Sequence, residues 1–211
     1  MFDFNKVKDF DMHIRLSIPN YEQLFNTFSS LTSIYSEPDS CVIDYGCSTG
    51  KLLIEIQKKK DCQYFGVDES SLIPAIYSGI NFVKQDAITF GKNVKCNVSV
   101  IISMFFLQFL SKLKRKEMLT IMRKQVEAGA ILLVSEKIML PDNKIDNIIS
   151  RLHIAEKRNN FSDKEILDKD IQLLDSMYIL EETELVRELS SIGNVIKIWQ
   201  SYNFVGYVVK K

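Results

Sequence analysis

Histidine, cysteine and tryptophan are scarce in this chain, and their scarcity removes several kinds of site. Of 211 residues, two are histidine, four cysteine and one tryptophan. Cys41, Cys47, Cys62 and Cys96 form no C-x-x-C pair, and His13 and His153 lie far apart in the chain. A structural zinc site needs several N or S ligands at close spacing, so no metal is expected, and neither is a disulfide framework. The reading is of a reduced, intracellular, cytoplasmic protein. Neither sign of charge is in excess, with 27 Lys and Arg against 27 Asp and Glu. That balance gives no bulk attraction to nucleic acid or to a membrane, and direct nucleic-acid binding is not indicated. Long apolar runs are missing as well. The strongest candidates, "VSVIISMFFLQFL" and "AILLV", read as core strands rather than membrane spans. The opening "MFDFNKVKDFDMHIRL" lacks a basic stretch followed by an apolar run, so no signal peptide is expected.

What is present is an ordinary globular composition, 46% apolar and 26% charged. It suits one domain over residues 1–211. Apolar residues recur at helical spacing from residue 6 to 35, and Pro19 divides them into two helices, a helical lid over 1–36. From residue 41 short apolar strands alternate with amphipathic stretches. "CVIDY", "CQYFGVD", "INFVKQD", "VSVIISM" and "AILLVSE" read as strands; "KLLIEIQKK", "SSLIPAIYS" and "SKLKRKEMLTIMRKQV" read as helices. This alternation predicts an α/β fold, a mostly parallel sheet covered on both faces. Residues 142–191 read as a helical insertion of three helices, with a capping box from Ser162 to Glu165. "VIKIWQSYNFVGYVVKK" reads as a closing antiparallel pair turning near Ser201 to Asn203.

The glycine loop in "CVIDYGCSTGKLL" supports two readings. Gly46-Cys47-Ser48-Thr49-Gly50 matches the G-x-S-x-G of a hydrolase nucleophile elbow. An elbow follows several earlier strands and needs a later acid and histidine. Here the loop follows the first strand, and His153, which reads as a helix-surface or interface residue, is the sole histidine after it. The cofactor reading fits better: the loop leaves the carboxyl end of a strand and opens a helix, where α/β folds bind ligands. Gly46 and Gly50 allow the turn. Three acids complete the set, Asp44, Asp68 and Asp86, at the ends of the first three strands. Asp68 can accept from both hydroxyls of a ribose, and Asp86 can meet an adenine amine. This pattern is that of a class I S-adenosylmethionine-dependent methyltransferase, a Rossmann-like fold with a seven-stranded sheet and an antiparallel C-terminal strand.

Segments outside the loop narrow the resemblance. "FDMHIRLSIPNYEQL", "VIDYGCSTG", "FFLQFL", "LVSEK", "EKRNNFSDKEI" and "YNFVGYVV" resemble the carboxy-S-adenosyl-L-methionine synthases of the tRNA wobble-uridine 5-oxyacetic acid pathway, over residues 2 to 210. The resemblance implies S-adenosyl-L-methionine as cofactor, prephenate as carboxyl donor, and a product, carboxy-S-adenosyl-L-methionine, formed when an ylide of the sulfonium methyl captures carbon dioxide. It implies a homodimer built through the helices after the fifth strand. By the same resemblance Tyr21 lines the pocket, and Gly46, Cys47 and Ser48 form its wall with Gly50 and Asp44. Asp68, with Glu69, and Asp86, with Ala87, hold ribose and adenine. Arg187 pairs with the new carboxylate, as a guanidinium fork suits; its competing reading is a solvated helix arginine. Arg15 and Lys157-Arg158 are further cationic candidates.

Three departures leave a second chemistry open. Met104 stands where the family has asparagine, residues 69 to 85 are shorter, and the sequence after Arg187 diverges. A relative with these changes can instead transfer a plain methyl to a small molecule or tRNA, with Tyr21 or His13 orienting the acceptor. A non-catalytic cofactor-binding protein is the third class.

Overall fold

The computed structural model describes residues 9–211. The expected helical start at residue 6 and the first part of the resemblance lie outside them. The elements are α1 (Phe10–Ser17), α2 (Tyr21–Tyr35), β1 (Cys41–Tyr45), α3 (Lys51–Gln57), β2 (Gln63–Asp68), β3 (Asn81–Lys84), α4 (Ala87–Lys92), β4 (Val98–Met104), α5 (Lys112–Glu127), β5 (Ile131–Met139), α6 (Asn143–Lys157), α7 (Asp163–Leu174), β6 (Leu180–Glu181), α8 (Glu182–Ser190), β7 (Asn194–Ser201) and β8 (Phe204–Lys210).

The sheet has eight strands, where seven were expected. Seven follow the order β3-β2-β1-β4-β5-β8-β7, and the two-residue β6 pairs with the end of β5. β1 to β5 are parallel, and β8 runs antiparallel between β5 and β7. All five residues of β1 are buried, as a strand covered on both faces requires. Its side chains alternate between two cores: Cys41, Ile43 and Tyr45 face Met118, Met122 and Leu185 of α5 and α8, while Val42 faces Phe28 and Leu53 of α2 and α3. Because the order reverses between β1 and β4, a crevice opens outside the carboxyl ends of those strands, the expected ligand position.

Three local expectations are corrected. "SSLIPAIYS" forms turns rather than a helix. Pro74 has no amide to donate, and the Asp68 carboxylate takes the Ser70 N–H at 2.8 Å, drawing the chain away from a helical start. The short α4, capped by Asp86, was hidden in what read as one connection. Cys41 and Cys96 are joined in a disulfide, their Cα atoms 6.3 Å apart, although four free thiols were expected. Cys41 opens β1 and pairs in register with Val98 at the start of β4. Strand adjacency therefore brings together two cysteines that spacing alone does not connect. Cys47 and Cys62 are free.

Candidate active site

A cavity of about 520 Å³ sits at the crevice, walled by the loop after β1, the ends of β2, β4 and β5, and helices α1, α6 and α7. It gathers Tyr21, Asp44, Gly46, Cys47, Ser48, Asp68, Glu69, Asp86, Ala87 and Met104 of the expected residues, and omits Gly50 and Arg187.

The loop is shaped by its glycines. Gly46 has φ +79°, and a Cβ there would lie 2.5 Å from the Phe106 ring. Gly50 has φ +69° as the N-terminal residue before α3, with the Phe82 ring where its Cβ would stand. It shapes the turn from behind and gives no surface to the cavity. The Gly46 and Cys47 amides donate to the Val67 carbonyl at 2.8 and 3.2 Å, and the Ser48 amide donates to Asp68 Oδ2 at 2.8 Å. Asp68 thus braces the loop and the start of the next one with its two oxygens, each keeping a lone pair for a further donor. Asp86 Oδ1 accepts from the Thr89 amide at 2.9 Å and Oδ2 pairs with Lys114 at 3.1 Å. Burial acts to raise its carboxyl, and these partners outweigh that and hold it below the ordinary value. Asp86 is therefore also a helix cap.

Asp44 differs from both. It is 3% exposed, and its Oδ1 has no hydrogen-bond partner among the described residues; the same holds for the buried Ser48 hydroxyl. Burial, with the Asp68 carboxylate nearby, pushes Asp44 up to about 8. A buried carboxylate without a partner is costly, so a cation or hydrogen-bond donor placed in the cavity would be held strongly there. Burial, Asp44 and Asp68 also push the Cys47 thiol up, leaving it without thiolate character. Tyr21 is pushed up by burial and by Asp11 and Asp44; its phenol keeps its proton, so it can donate a hydrogen bond but does not act as a base.

The opposite end of the cavity was not anticipated as a whole. Lys137 from β5, Lys157 from α6 and Lys169 from α7 line it with His13, His153 and Asp170. His153 is 4% exposed, at an interface of α6 with α1 rather than on an open helix surface. Its Nε2 lies 2.9 Å from the Ser17 carbonyl, which can only accept, so Nε2 carries the proton. His13 touches Lys169. Burial and nearby lysines hold His13 at about 4; burial holds His153 at about 4 against the Ser17 hydrogen bond. Both imidazoles are neutral at pH 7. The strand-end rule that singled out the acids could have found Lys137 in "LVSEK", at the end of β5. His153 and Lys169 carry no local signal.

Asp11, also missed, ties α1 to the loop: Thr49 Oγ1 donates to it at 2.7 Å and Lys51 lies 3.7 Å away. The other cationic candidates leave the site. Arg187 is exposed on the last turn of α8, because α8 turns Leu185 and Leu189 into the core beside β5 and presents Arg187 outward. Arg158 pairs with Asp163 at 2.7 Å in solvent, and Arg15 with Glu22 at 2.8 Å.

No family model matches the chain. Solved structures share its fold. The plantazolicin methyltransferase, in complex with a triazolic desmethylPZN analog and SAH, aligns with TM-score 0.64 at 13% identity, covering 98% of this chain and 92% of that one. A SAM-dependent methyltransferase from Archaeoglobus fulgidus aligns with TM-score 0.60 at 14% identity, covering 96% and 100%. Curated relatives are nearer in sequence. The carboxy-S-adenosyl-L-methionine synthase of Colwellia psychrerythraea is 28% identical, covering the whole of this chain and 91% of that protein. The enzyme of the same name from Shewanella sediminis is 30% identical over 179 residues, 80% of this chain and 74% of that protein. On a methyltransferase fold, and with identity of this extent over most of both sequences, the chain belongs to the carboxy-S-adenosyl-L-methionine synthase family.

Proposed function

We propose that this chain is an S-adenosylmethionine-dependent transferase that adds a carboxyl group to the cofactor's methyl carbon, with prephenate as carboxyl donor. The observation that carries the cofactor assignment is Asp44, a buried carboxylate with an unpartnered oxygen in the wall of a cavity that also presents Asp68. The donor set fits the cofactor. Asp44 would hold its positive end, Asp68 its ribose hydroxyls and Asp86 its adenine amine, with Gly46, Cys47 and Ser48 as the wall. When bound, the cofactor supplies an activated sulfonium carbon. The protein's own task is then to hold the reactants close and exclude water. Tyr21, protonated and half-buried, positions a partner by donating its hydroxyl.

Two observations favour plain methyl transfer as a second reading: Met104 offers no polar contact, and Arg187 stands away from the cavity. Mass spectrometry of co-purified ligand, followed by incubation with prephenate, separates the two. A carboxyl gain on the cofactor is expected; its absence, with cofactor bound, sinks the synthase version.

The reading extends to residues 1–211 as one cofactor-binding domain and to a role in tRNA wobble-uridine modification in the cytoplasm. The Cys41–Cys96 bond weighs against a fully reducing compartment, and thiol counting with and without reductant tests it. Among the described residues no helix is long and apolar enough to cross a membrane. A homodimer is supported by one surface. Ile145, Ile148 and Leu152 of α6 and Leu167, Ile171 and Leu174 of α7 are all exposed at helical spacing, an apolar face that a second copy would cover. Light scattering should give twice the monomer mass, and Leu152→Glu should halve it.

A further inference from the structure

We propose that Asp11 is a positioning residue: it latches α1 onto the glycine loop and so keeps the cavity closed over its contents. The proposal rests on the reading that those contents include S-adenosylmethionine, and names the element that holds it in.

α1 is built as a strap. Phe10, Asp11, Ile14, Ser17 and Ile18 line the cavity, and their spacing puts them on one face of the helix. Met12 and Leu16, on the other face, are 52% and 38% exposed. Of the eight residues of α1, Ser17 alone is buried. A helix this short does not persist in water by itself, where about 12–15 residues are needed. Its place is therefore set by what ties it down.

The C-terminal half of α1 is tied to the body of the protein. His13 touches Lys169 of α7, and the Ser17 carbonyl accepts from His153 Nε2 of α6 at 2.9 Å. Ile18 is 8% exposed in the core beneath α2. Asn20, with φ +57°, opens α2, and its Nδ2 donates to Ser201 Oγ at 3.1 Å. Across the cavity, α1 reaches the glycine loop through Asp11. Thr49 Oγ1 donates to Asp11 Oδ1 at 2.7 Å, and Lys51 Nζ lies 3.7 Å from Oδ2. The Asp11 side chain is 30% exposed, so this bond sits at the rim, where water replaces it when α1 lifts.

The latch acts on the loop as well as on the strap. Asp68 accepts from the Ser48 amide and Asp11 from the Thr49 hydroxyl. Carboxylates from two elements thus grip consecutive residues of the loop. Ser48 has φ +51°, a conformation that costs a non-glycine residue free energy and persists where its surroundings hold it. Ser48 and Thr49 both line the cavity, so closing α1 and shaping the cofactor wall are one event. Burial and then Asp11 push the Tyr21 phenol up, which places the latch within electrostatic reach of the pocket tyrosine. A ligand enclosed in a cavity of about 520 Å³ enters and leaves when a wall moves. β1, β2, β4 and β5 are fixed in the sheet; α1 is a short wall held by side-chain bonds.

The test is the release rate of S-adenosylhomocysteine from the full chain, followed by surface plasmon resonance. Asp11→Ala and Thr49→Val should each speed release about tenfold, the scale of one hydrogen bond to a charged group. Thr49→Val leaves α1 itself unaltered. The double variant should release no faster than either single one, because both remove the same bond. Glu22→Gln breaks the Arg15–Glu22 pair on the outer side of α1 and should stay within about twofold of the starting protein. In turnover, the KM for S-adenosylmethionine should rise in both latch variants with kcat unchanged. In the ligand-free chain, amide exchange at residues 13–18 should quicken in both while their denaturant midpoints hold. An unchanged release rate in Thr49→Val overturns the latch. So does additive speeding in the double variant, equal speeding by Glu22→Gln, or a fall in kcat at constant KM. A starting protein that binds no S-adenosylhomocysteine overturns the cofactor reading instead. Amide exchange then decides the latch, and unchanged protection in both variants overturns it.

Discussion

The two ends of the cavity are built on opposite plans. At one end three acids, Asp44, Asp68 and Asp86, lie at or just beyond the ends of β1, β2 and β3; Asp68 and Asp86 accept from backbone amides of the adjoining loops and helix, and Asp44 keeps an unpartnered oxygen. At the other, three lysines come from β5, α6 and α7 and meet only when those helices fold back over the sheet. The acidic end is local and braced by hydrogen bonds. The cationic end is assembled over long range. A ligand positive at one place and negative at another would be oriented by this difference alone.

The sharpest way to break the contrast is Asp68→Ala. It removes the acceptor for the Ser48 and Ser70 amides as well as for two ligand hydroxyls. Hydrogen bonds to a charged group contribute about 1.5–3 kcal/mol each, so cofactor affinity should fall about a hundredfold or more. A change below threefold in a calorimetric titration would show that the acidic end does not hold the nucleoside.

Asp44 predicts a pH signature. Its carboxyl, raised to about 8, is mostly protonated at pH 7 in the free protein. A bound cation favours the ionised form, so binding releases a proton. Cofactor affinity should rise by up to about tenfold per pH unit from 6 to 8 and then level off. Asp44→Asn should flatten that profile; a variant that keeps the slope would assign it elsewhere. For folding, the raised carboxyl contributes most below its ordinary value, and that contribution is lost as pH rises through about 8.

The histidines at the cationic end give a smaller effect of opposite sense. Each is held at about 4, below its ordinary value of 6.5, so the unfolded chain binds more protons between those limits. Stability should therefore decline as pH drops from 6.5 toward 4. His153→Leu should reduce that decline and, by orphaning the Ser17 carbonyl, cost about 1–3 kcal/mol at neutral pH. Denaturant melts at several pH values check both. The smallest effect belongs to Arg187→Ala, exposed on α8: prephenate KM should stay within twofold. A large increase would return the carboxylate-binding role to Arg187.

The same contrast explains what could be read from the amino-acid order. β1 is a continuous apolar run because both its faces are buried, and the acids follow such runs at fixed positions. The sheet, the glycine loop and the three acids were therefore visible. The stretch around Pro74 looked helical because its apolar spacing survives, but a missing amide and the Asp68 side chain decide against it. His153 and Lys169 sit in amphipathic helices among charged neighbours. Only the packing of α6 and α7 distinguishes a cavity lysine from a solvated one. The Cys41–Cys96 pairing required knowing that β1 and β4 are neighbours.

That bond makes residues 41–96 a closed ring of chain, and the ring contains the exposed stretch 75–79, which has neither helix nor strand. Tyr77 stands there, 37% exposed. A protease that cuts after it opens the ring without releasing either piece. The nicked molecule would run as one band on a gel until reductant is added, and then as two. Residues 1–77 and 78–211 would remain one covalent body around the cavity they share.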